Sequence, residues 1–170
     1  MKRANSHLTL REIALFGMLG ALTFAAKVAM SALYNIEPVS LMVMLFAVVF
    51  GWKGLYPVYL YVAMEIMTYG INLWNAYYLY IWAILAIAAI CMRRLKNPIW
   101  WALLSGLFGL AFGTLCGPVN ICIFGFSAGI AWIGAGLQAD LLHAAGNFVI
   151  ALVLFVPLRK LMTKLYKKLQ

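Results

Sequence analysis

Long apolar stretches separated by short polar or glycine-containing connections dominate the hydropathy pattern of this chain. A helix needs about 20 mostly apolar residues to cross roughly 30 Å of hydrocarbon, and six stretches are candidates. The predicted spans are residues 11–33, 38–51, 55–70, 75–91, 98–115 and 135–156. The second is short, which indicates a helix shielded by its neighbours. The pattern predicts an all-α membrane protein, a bundle of six transmembrane helices in which residues 1–170 form a single domain.

One apolar segment does not fit this pattern. Residues 117–134, with the sequence GPVNICIFGFSAGIAWIG, are too apolar for a solvated loop and too rich in Gly and Pro for a regular additional span. Irregular backbone is tolerated at membrane depth only where protein or a cavity satisfies its polar groups. We therefore expect an outer-face helix or re-entrant piece packed over the bundle between helices 5 and 6.

The composition supports the membrane prediction. Of the 170 residues, 66% are hydrophobic and only 10% are charged, so a soluble domain of this size would expose most of its apolar surface to water. The formal net charge is +9. Because the basic clusters lie at helix ends, where anionic lipid headgroups and topology account for them, we expect no nucleic-acid partner.

The Lys and Arg residues orient the predicted bundle. An even number of crossings puts both termini on one side, and of the 13 basic residues only Lys27 falls elsewhere. The others are Lys2, Arg3, Arg11, Lys53, Arg93, Arg94, Lys96, Arg159, Lys160, Lys164, Lys167 and Lys168. The opposite connections, residues 34–37, 70–74 and 117–134, contain no Lys or Arg. By the positive-inside rule, we expect a multi-pass cell-membrane protein with cytoplasmic N- and C-termini.

Four ionisable residues inside the predicted spans carry the functional signal. Lys27, Glu65, Asp140 and His143 all fall in the outer half of the membrane, where each persists only if it is paired or faces water. Helical spacing places polar and aromatic neighbours beside them. We expect an outward-facing, small-molecule pocket. The predicted substrate-binding residues are Lys27, Glu65, Tyr69, Asn72, Asn75, Tyr78, Trp82, Asp140, His143 and Asn147.

Each of these residues also has a structural interpretation. Lys27 could extend to the outer headgroups, or Glu65 and Asp140 could serve only as ion-pair partners that hold the bundle around Lys27. His143 could hydrogen-bond between helices. Glu65, Asp140 and His143 could bind a metal, although the chain lacks a local run of His or Cys ligands. We expect no metal and no cofactor.

Small residues recur every four positions along the first predicted helix. Gly17, Ala21, Ala25 and Ala29 form a stripe that allows close approach of another helix. Lys27 lies about 200° around the helix from Ala25, so the stripe faces outward if the lysine faces the pocket. This indicates a membrane partner; docking against a helix of the same chain is the alternative.

Two weaker patterns lie near residues 117–134. Gly125–Gly129 matches the nucleophile-elbow pattern around Ser127 and is followed by Asp140 and His143, but an elbow needs a strand that turns into a helix, and none is predicted. We therefore expect no catalytic residues. Cys116 and Cys122 could form a disulfide at the outer face, although free apolar cysteines are more common.

The chain resembles the substrate-binding S components of energy-coupling factor (ECF) transporters. The resemblance covers nearly its whole length and lies in the opening LTLREIALFGMLGALTFAA, the basic connector RRLKN and the last helix ADLLHAAGNFVIALVLFVPLRK. It implies a six-helix subunit that captures a vitamin or related heterocycle from outside the cell. The implied partners are a transmembrane T component and two cytoplasmic ATPases, consistent with the lack of a Walker motif in this chain.

The resemblance also implies residue roles. Ala21 and Ala25 would dock onto the T component, and Asn35, Ile36 and Glu37 would belong to a lid over the substrate. The Met1-Lys2 start differs from the Met-His start of nickel and cobalt members. Two other classes remain alternatives, a self-contained small transporter or channel, which would usually show an internal repeat, and an integral membrane hydrolase.

Overall fold

The computed structural model describes residues 8–33 and 35–169 of the chain, and this part is helical, without a β-strand. The prediction of an all-α fold is confirmed. In chain order the elements are α1 (Leu10–Ala29), α2 (Val39–Phe50), a 3-10 turn (Gly51–Gly54), α3 (Leu55–Tyr69), α4 (Leu73–Met92), α5 (Pro98–Phe124) and α6 (Phe126–Leu169).

Local sequence signals account for where the helices begin and end. Thr9 and Glu12 form a capping box at the start of α1, and Asn72 and Asn75 do the same at the start of α4. These side chains satisfy backbone N–H groups that lack partners in the first turn of a helix. Gly70 ends α3 with a φ of 75°, in the left-handed region that glycine adopts without strain.

Five helical runs in the described residues are long and apolar enough to cross a membrane. They are Leu10–Ala29, Val39–Tyr69, Leu73–Met92, Pro98–Phe124 and Phe126–Leu169. The second run consists of α2, the 3-10 turn and α3. The chain reverses at this turn, and Gly54 packs directly against the backbone of Phe46. Nine of the 12 residues of α2 are buried, so its neighbours shield it.

Contacts between helices give their relative directions. Phe16 near the start of α1 stacks on Tyr56 near the start of α3, with ring centroids 6.1 Å apart, while Lys27 near the end of α1 contacts Glu65 near the end of α3. These two helices are therefore parallel. Side chains of α2 contact α6 at both of its ends, through Ser40 with Asn147 and Phe50 with Tyr166.

One end of the bundle is basic, and polar contacts join its helices. Glu12 accepts hydrogen bonds from Lys53 at 2.9 Å and from the Tyr166 hydroxyl at 2.7 Å, which ties the start of α1 to the end of α6. Arg159 donates to the backbone carbonyls of Leu95 and Arg93 at 2.8 and 2.7 Å. Lys2 and Arg3, predicted on this side, lie outside the described residues.

The predicted outer-face segment between helices 5 and 6 is wrong. Residues 117–124 continue α5 and residues 126–134 begin α6, with only Gly125, at a φ of 89°, between the two helices. Glycines explain this result, because they let the two helices pack at backbone contact instead of breaking them. A Cβ at Gly109 would lie 2.9 Å from the backbone of His143, and one at Gly117 would lie 2.9 Å from the Ile133 side chain.

Candidate functional site

A cavity of about 730 Å³ lies at the end of the bundle opposite the basic end. The ends of α1 and α3, the start of α4, the middle of α5 and the first half of α6 contribute to its wall, together with the connection before α2. Its lining residues are Lys27, Met30, Ser31, Leu33, Asn35, Ile36, Glu37, Glu65, Tyr69, Asn72, Trp74, Asn75, Tyr78, Phe112, Gly113, Cys116, Trp132, Ala135, Gly136, Ala139, Asp140 and His143. Residues far apart in the sequence therefore meet at one site.

Lys27 forms an ion pair inside the wall of this cavity. Its Nζ lies 2.7 Å from Glu65 Oε2, and 24% of the lysine side chain is exposed against 7% of the glutamate side chain. The ammonium also lies 5.3 Å from the ring centroid of Tyr78, within the range of a cation–π interaction. Lys27 therefore turns inward, and the interpretation that it extends to the outer headgroups is wrong.

The second oxygen of the Glu65 carboxylate has no hydrogen-bond partner among the described residues, although it is buried. A buried carboxylate oxygen without a donor is costly, so such an atom is expected to meet water or a ligand. Because Glu65 lines the cavity, this oxygen is an acceptor available to a molecule inside it.

Asp140 is held in a different way from the one the sequence suggested. Its two oxygens accept hydrogen bonds from the backbone N–H of Gly113 at 3.1 and 3.0 Å, and it forms no ion pair with Lys27. A Cβ at position 113 would lie 3.2 Å from Asp140 Cγ and closer still to its Oδ2, so a larger residue there would displace the Asp140 carboxylate. The hypothesis that Asp140 pairs with Lys27 is therefore wrong, because both Asp140 oxygens face the backbone of α5 and Lys27 pairs with Glu65.

His143 and Glu37 face each other across the cavity wall. His143 Nε2 lies 3.7 Å from Glu37 Oε1 and has no hydrogen-bond partner within the described residues, while the His143 ring packs edge-on against Phe112 at 5.0 Å. Burial raises the pKa of Glu37 from its ordinary 4.5 to about 7; Lys27 opposes the rise and Glu65 adds to it. Glu37 therefore takes up a proton near neutral pH.

The predicted residues at the start of α4 are also in the cavity wall. The side chains of Asn72 and Asn75 hold the first turn of the helix, because Asn75 Oδ1 accepts from Asn72 N at 2.7 Å and Asn72 Oδ1 accepts from Trp74 N at 2.9 Å. Tyr78 follows on the same face and is buried, whereas Tyr69 at the end of α3 is largely exposed.

Two predicted substrate-binding residues lie outside the cavity. Trp82 is completely buried beneath it, with its ring 5.3 Å from Tyr78 and 6.0 Å from Phe112. Asn147 donates to Ser40 Oγ at 3.0 Å and joins α6 to α2. Both share a helix face with cavity residues, but each lies about one helical turn deeper, where neighbouring side chains fill the space.

The predicted lid residues occupy the connection before α2 and line the cavity. Asn35 has a φ of 54°, a left-handed conformation that few non-glycine residues adopt. Ile36 packs against α6, where a Cβ at Gly146 would lie 3.1 Å from its Cγ1. This connection therefore covers one side of the cavity, where Ile36 and Glu37 both approach α6.

Three aromatic residues of the cavity were not predicted from the sequence. Trp74 and Trp132, with ring centroids 6.3 Å apart, and Phe112 all line it. Trp132 could have been found, since it belongs to a helical stripe with Ala135, Gly136, Ala139, Asp140 and His143. The stripe was hidden because the last helix was predicted to begin at residue 135.

The small-residue stripe of α1 faces away from the bundle. Gly17, Ala25 and Ala29 are exposed and Ala21 is half-buried. A Cβ at Gly17 would meet no described atom within 4 Å, whereas one at Gly20 would lie 2.8 Å from the Cβ of Leu60 in α3. Packing within the chain therefore uses Gly20, and the alternative that the stripe docks against a helix of the same chain is wrong for Gly17, Ala25 and Ala29.

The remaining sequence patterns do not assemble into a reactive site. Ser127 and Asp140 lie on the same helix, 13 residues or about 20 Å apart, so the elbow pattern does not bring them together. Cys116 is buried, Cys122 is exposed and both are free. No group of three or more His, Cys, Asp or Glu residues in the described ranges has the arrangement of a metal site.

Comparisons with protein-family models, with curated proteins and with solved structures find no match. Fold and site together define an all-helical protein with apolar helices of membrane length and a polar, aromatic cavity at one end. This cavity is the feature of the described residues that most directly indicates a function.

Proposed function

We propose that the chain is the substrate-binding S component of an ATP-driven ECF-type importer, which captures a vitamin or related small heterocycle from the extracellular side. The observation that carries the proposal is the cavity of about 730 Å³, in which a lysine, three carboxylates, a histidine and several aromatic rings meet at one end of an apolar bundle. Intramembrane ionisable residues are rare and are usually functional.

The chemistry of the cavity favours a planar ligand with polar edges. Trp74, Trp132 and Tyr78 offer ring faces and edges against which a heterocycle can stack. Glu65 Oε1 can accept a hydrogen bond, and His143 Nε2 can accept or donate one according to its protonation. A B vitamin or a nucleobase-like precursor combines these features, and its volume suits a cavity of this size.

The connection with Asn35, Ile36 and Glu37 is proposed to act as the lid. It approaches α6 through Ile36, which packs at Gly146, and through Glu37, which lies 3.7 Å from His143 without reaching hydrogen-bond distance. Ligand-binding lids are commonly drawn from connections outside the regular helices, which open at lower free-energy cost than the packed core. Opening this connection would expose the cavity, and bound substrate would add contacts that favour the closed form.

The exposed stripe of α1 is proposed to dock onto a transmembrane T component. Gly17, Ala25 and Ala29 leave a flat helix surface free of covering side chains, which suits the close helix–helix contact that drives association within a bilayer. The chain itself has no Walker motif, so two cytoplasmic ATPase subunits are proposed to supply the energy.

In the proposed topology all six α-helices cross the cell membrane and both termini are cytoplasmic. The alternating directions of α1, α2 and α3 and the gathering of basic residues at the end opposite the cavity support this arrangement. α2, with 12 residues, spans about 18 Å and depends on its neighbours to shield it from lipid.

Purification from the native membrane tests the proposal directly. We expect a second multi-span protein and two ATPases to copurify, and mass spectrometry of the extract to identify one bound heterocycle. Lys27→Ala, Glu65→Gln and Asp140→Asn should each weaken binding of that compound about tenfold or more, because each removes an ionisable group from the cavity wall. Ser127→Ala, outside the cavity, is the matched control and should bind as the unmodified protein does.

Partner docking is tested separately. Ala25→Leu should reduce copurification of the T component, whereas Ala145→Leu, an equal change at an exposed alanine of α6, should leave it intact. Uptake into vesicles that contain this chain alone would contradict the proposal and indicate a self-contained transporter. Unchanged ligand binding by all three cavity variants would remove the assignment of the site.

A further inference from the structure

A second cavity, of about 630 Å³, lies at the basic end of the molecule. Its wall consists mainly of one face of α6, together with a lysine from the connection between α4 and α5. The lining residues are Lys96, Val156, Arg159, Lys160, Thr163, Lys164, Lys167 and Lys168. Six of these eight side chains are cationic.

Arg159 gives this cavity a defined shape. Its guanidinium donates to the carbonyls of Leu95 and Arg93 at 2.8 and 2.7 Å and lies 5.7 Å from the ring centroid of Trp101. These contacts hold the connection between α4 and α5 beside α6. Lys96 on that connection is thereby kept close to the lysines of the last helix, which the sequence alone places 64 or more residues away.

Among the described residues, no side-chain carboxylate pairs with the lysines of this cavity. The chain contains only four acidic residues, of which Glu12 contacts Lys53, Glu65 contacts Lys27, and Glu37 and Asp140 line the other cavity. Across residues 8–33 and 35–169, none of the five lysines that line the basic cavity forms an ion pair. Like charges at this density repel each other, so an external anion would stabilise the arrangement.

The position of the cavity along α6 indicates what kind of anionic ligand would fit it. The apolar part of the helix, with exposed Leu152, Val153 and Leu154, ends where the basic residues begin. Val156 lines the cavity at this junction. A ligand that has an anionic head and apolar chains can therefore place the head among the lysines and a chain along the exposed apolar surface of α6.

We propose that this basic cavity binds the phosphate headgroup of an anionic phospholipid. The ammonium groups of Lys96, Lys160 and Lys164 would contact the phosphate oxygens, while the acyl chains lie against α6. The inference requires only that the protein is embedded in a membrane, so it stands or falls independently of the proposed transport function.

The test measures lipid binding by the purified, delipidated full-length protein. In detergent micelles, phosphatidylglycerol should raise the thermal unfolding temperature and phosphatidylcholine should not. In Lys160→Gln/Lys164→Gln/Lys167→Gln, the phosphatidylglycerol concentration that gives half of the maximal rise in unfolding temperature should increase about tenfold or more. The reason is that each surface lysine contributes favourably to binding of anionic lipid. All three side chains are exposed, so we expect the variant to fold.

The matched control removes the same charge from the same end of the molecule. Arg11→Gln/Arg93→Gln/Arg94→Gln lies outside the cavity lining and should keep the full response. If both triple variants lost the stabilisation by phosphatidylglycerol to the same extent, the proposal would be overturned in favour of attraction by diffuse surface charge. An equal stabilisation by inorganic phosphate or by glycerophosphoglycerol, which lacks acyl chains, would overturn it in favour of a soluble phosphate ligand. Should the triple variant not fold, Lys164→Gln against Arg94→Gln carries the same comparison.

Discussion

At the residue scale, the ion pair between Lys27 and Glu65 organises the candidate site. Each residue alone would be costly in a mostly apolar bundle, and the 2.7 Å contact offsets part of the desolvation of both. The carboxylate uses one oxygen for this contact and leaves the other without a partner among the described residues. The pair therefore joins α1 to α3 and leaves one acceptor oxygen in the wall of the cavity.

We expect the two members of this pair to be energetically coupled. Lys27→Met leaves a buried carboxylate without its cation and should lower the free energy of unfolding by roughly 1–3 kcal/mol. Adding Glu65→Gln removes the unpaired charge and should restore part of that loss, with a coupling of roughly 0.5–3 kcal/mol. Thermal unfolding of the single and double variants in detergent gives this double-mutant cycle. Strictly additive changes in unfolding free energy would mean that the contact contributes nothing.

Glu37 should make the stability of the protein depend on pH. Its pKa is about 7 in the folded protein and close to 4.5 when exposed, so between these values the folded state binds the proton more tightly than the unfolded chain. Stability should therefore fall as the pH rises from about 5 to about 8. Glu37→Gln should flatten this slope in thermal unfolding curves recorded across the range, and identical slopes for both proteins would contradict the assignment.

At the scale of the elements, the α5–α6 hairpin builds one wall of the site. Gly109, Gly113 and Gly117 are spaced four residues apart on α5 and face α6 at close range. At Gly113 this close approach lets the backbone N–H reach Asp140. The glycines thus set both the packing of the two helices and the position of an acidic group in the cavity.

Filling the contact at Gly109 should separate these helices. A Cβ there would lie 2.9 Å from backbone atoms of His143 and Ala144, which cannot move aside as a side chain could. Gly109→Ala should therefore cost roughly 1–3 kcal/mol of unfolding free energy. Gly134→Ala is the control, since no described atom lies within 4 Å of its Cβ position and alanine favours the helix. Equal thermal stability of the two variants would count against the close packing.

At the scale of the whole molecule, the two ends differ in chemistry. The polar and aromatic cavity occupies one end, and the basic cavity and the Glu12–Lys53 pair occupy the other. α6 connects them over 44 residues, or about 66 Å, twice the thickness of the hydrocarbon core. This polarity supports the proposed orientation, in which the basic end faces the cytoplasm.

Cysteine labelling tests that orientation. In a background of Cys91→Ser, Cys116→Ala and Cys122→Ser, Ile71→Cys should react with a membrane-impermeant maleimide in intact cells, because residue 71 is 91% exposed at the cavity end. Lys168→Cys should react only after the membrane is permeabilised. The reverse pattern would invert the proposed topology, and labelling of both sites in intact cells would exclude it.

Properties that depend on residues close together in the sequence could be predicted from it. The length of the apolar runs predicted the all-α fold with helices of membrane length, and the predicted topology placed Lys27, Glu65, Asp140 and His143 at a similar depth, where all four line one cavity. Helix phase alone could not exclude Trp82 and Asn147, because depth along a helix and the packing of its neighbours decide which residues meet open space.

The tertiary structure alone decided the pairings and the shape of both cavities. Which carboxylate meets Lys27 depends on α1 and α3 running side by side, and Asp140 reaches Gly113 only because α5 and α6 touch at their backbones. The same close packing makes residues 117–134 helical despite their Gly and Pro content. Sequence therefore determined what is local, the period and the charge of each helix, whereas contacts between distant segments required the packed bundle.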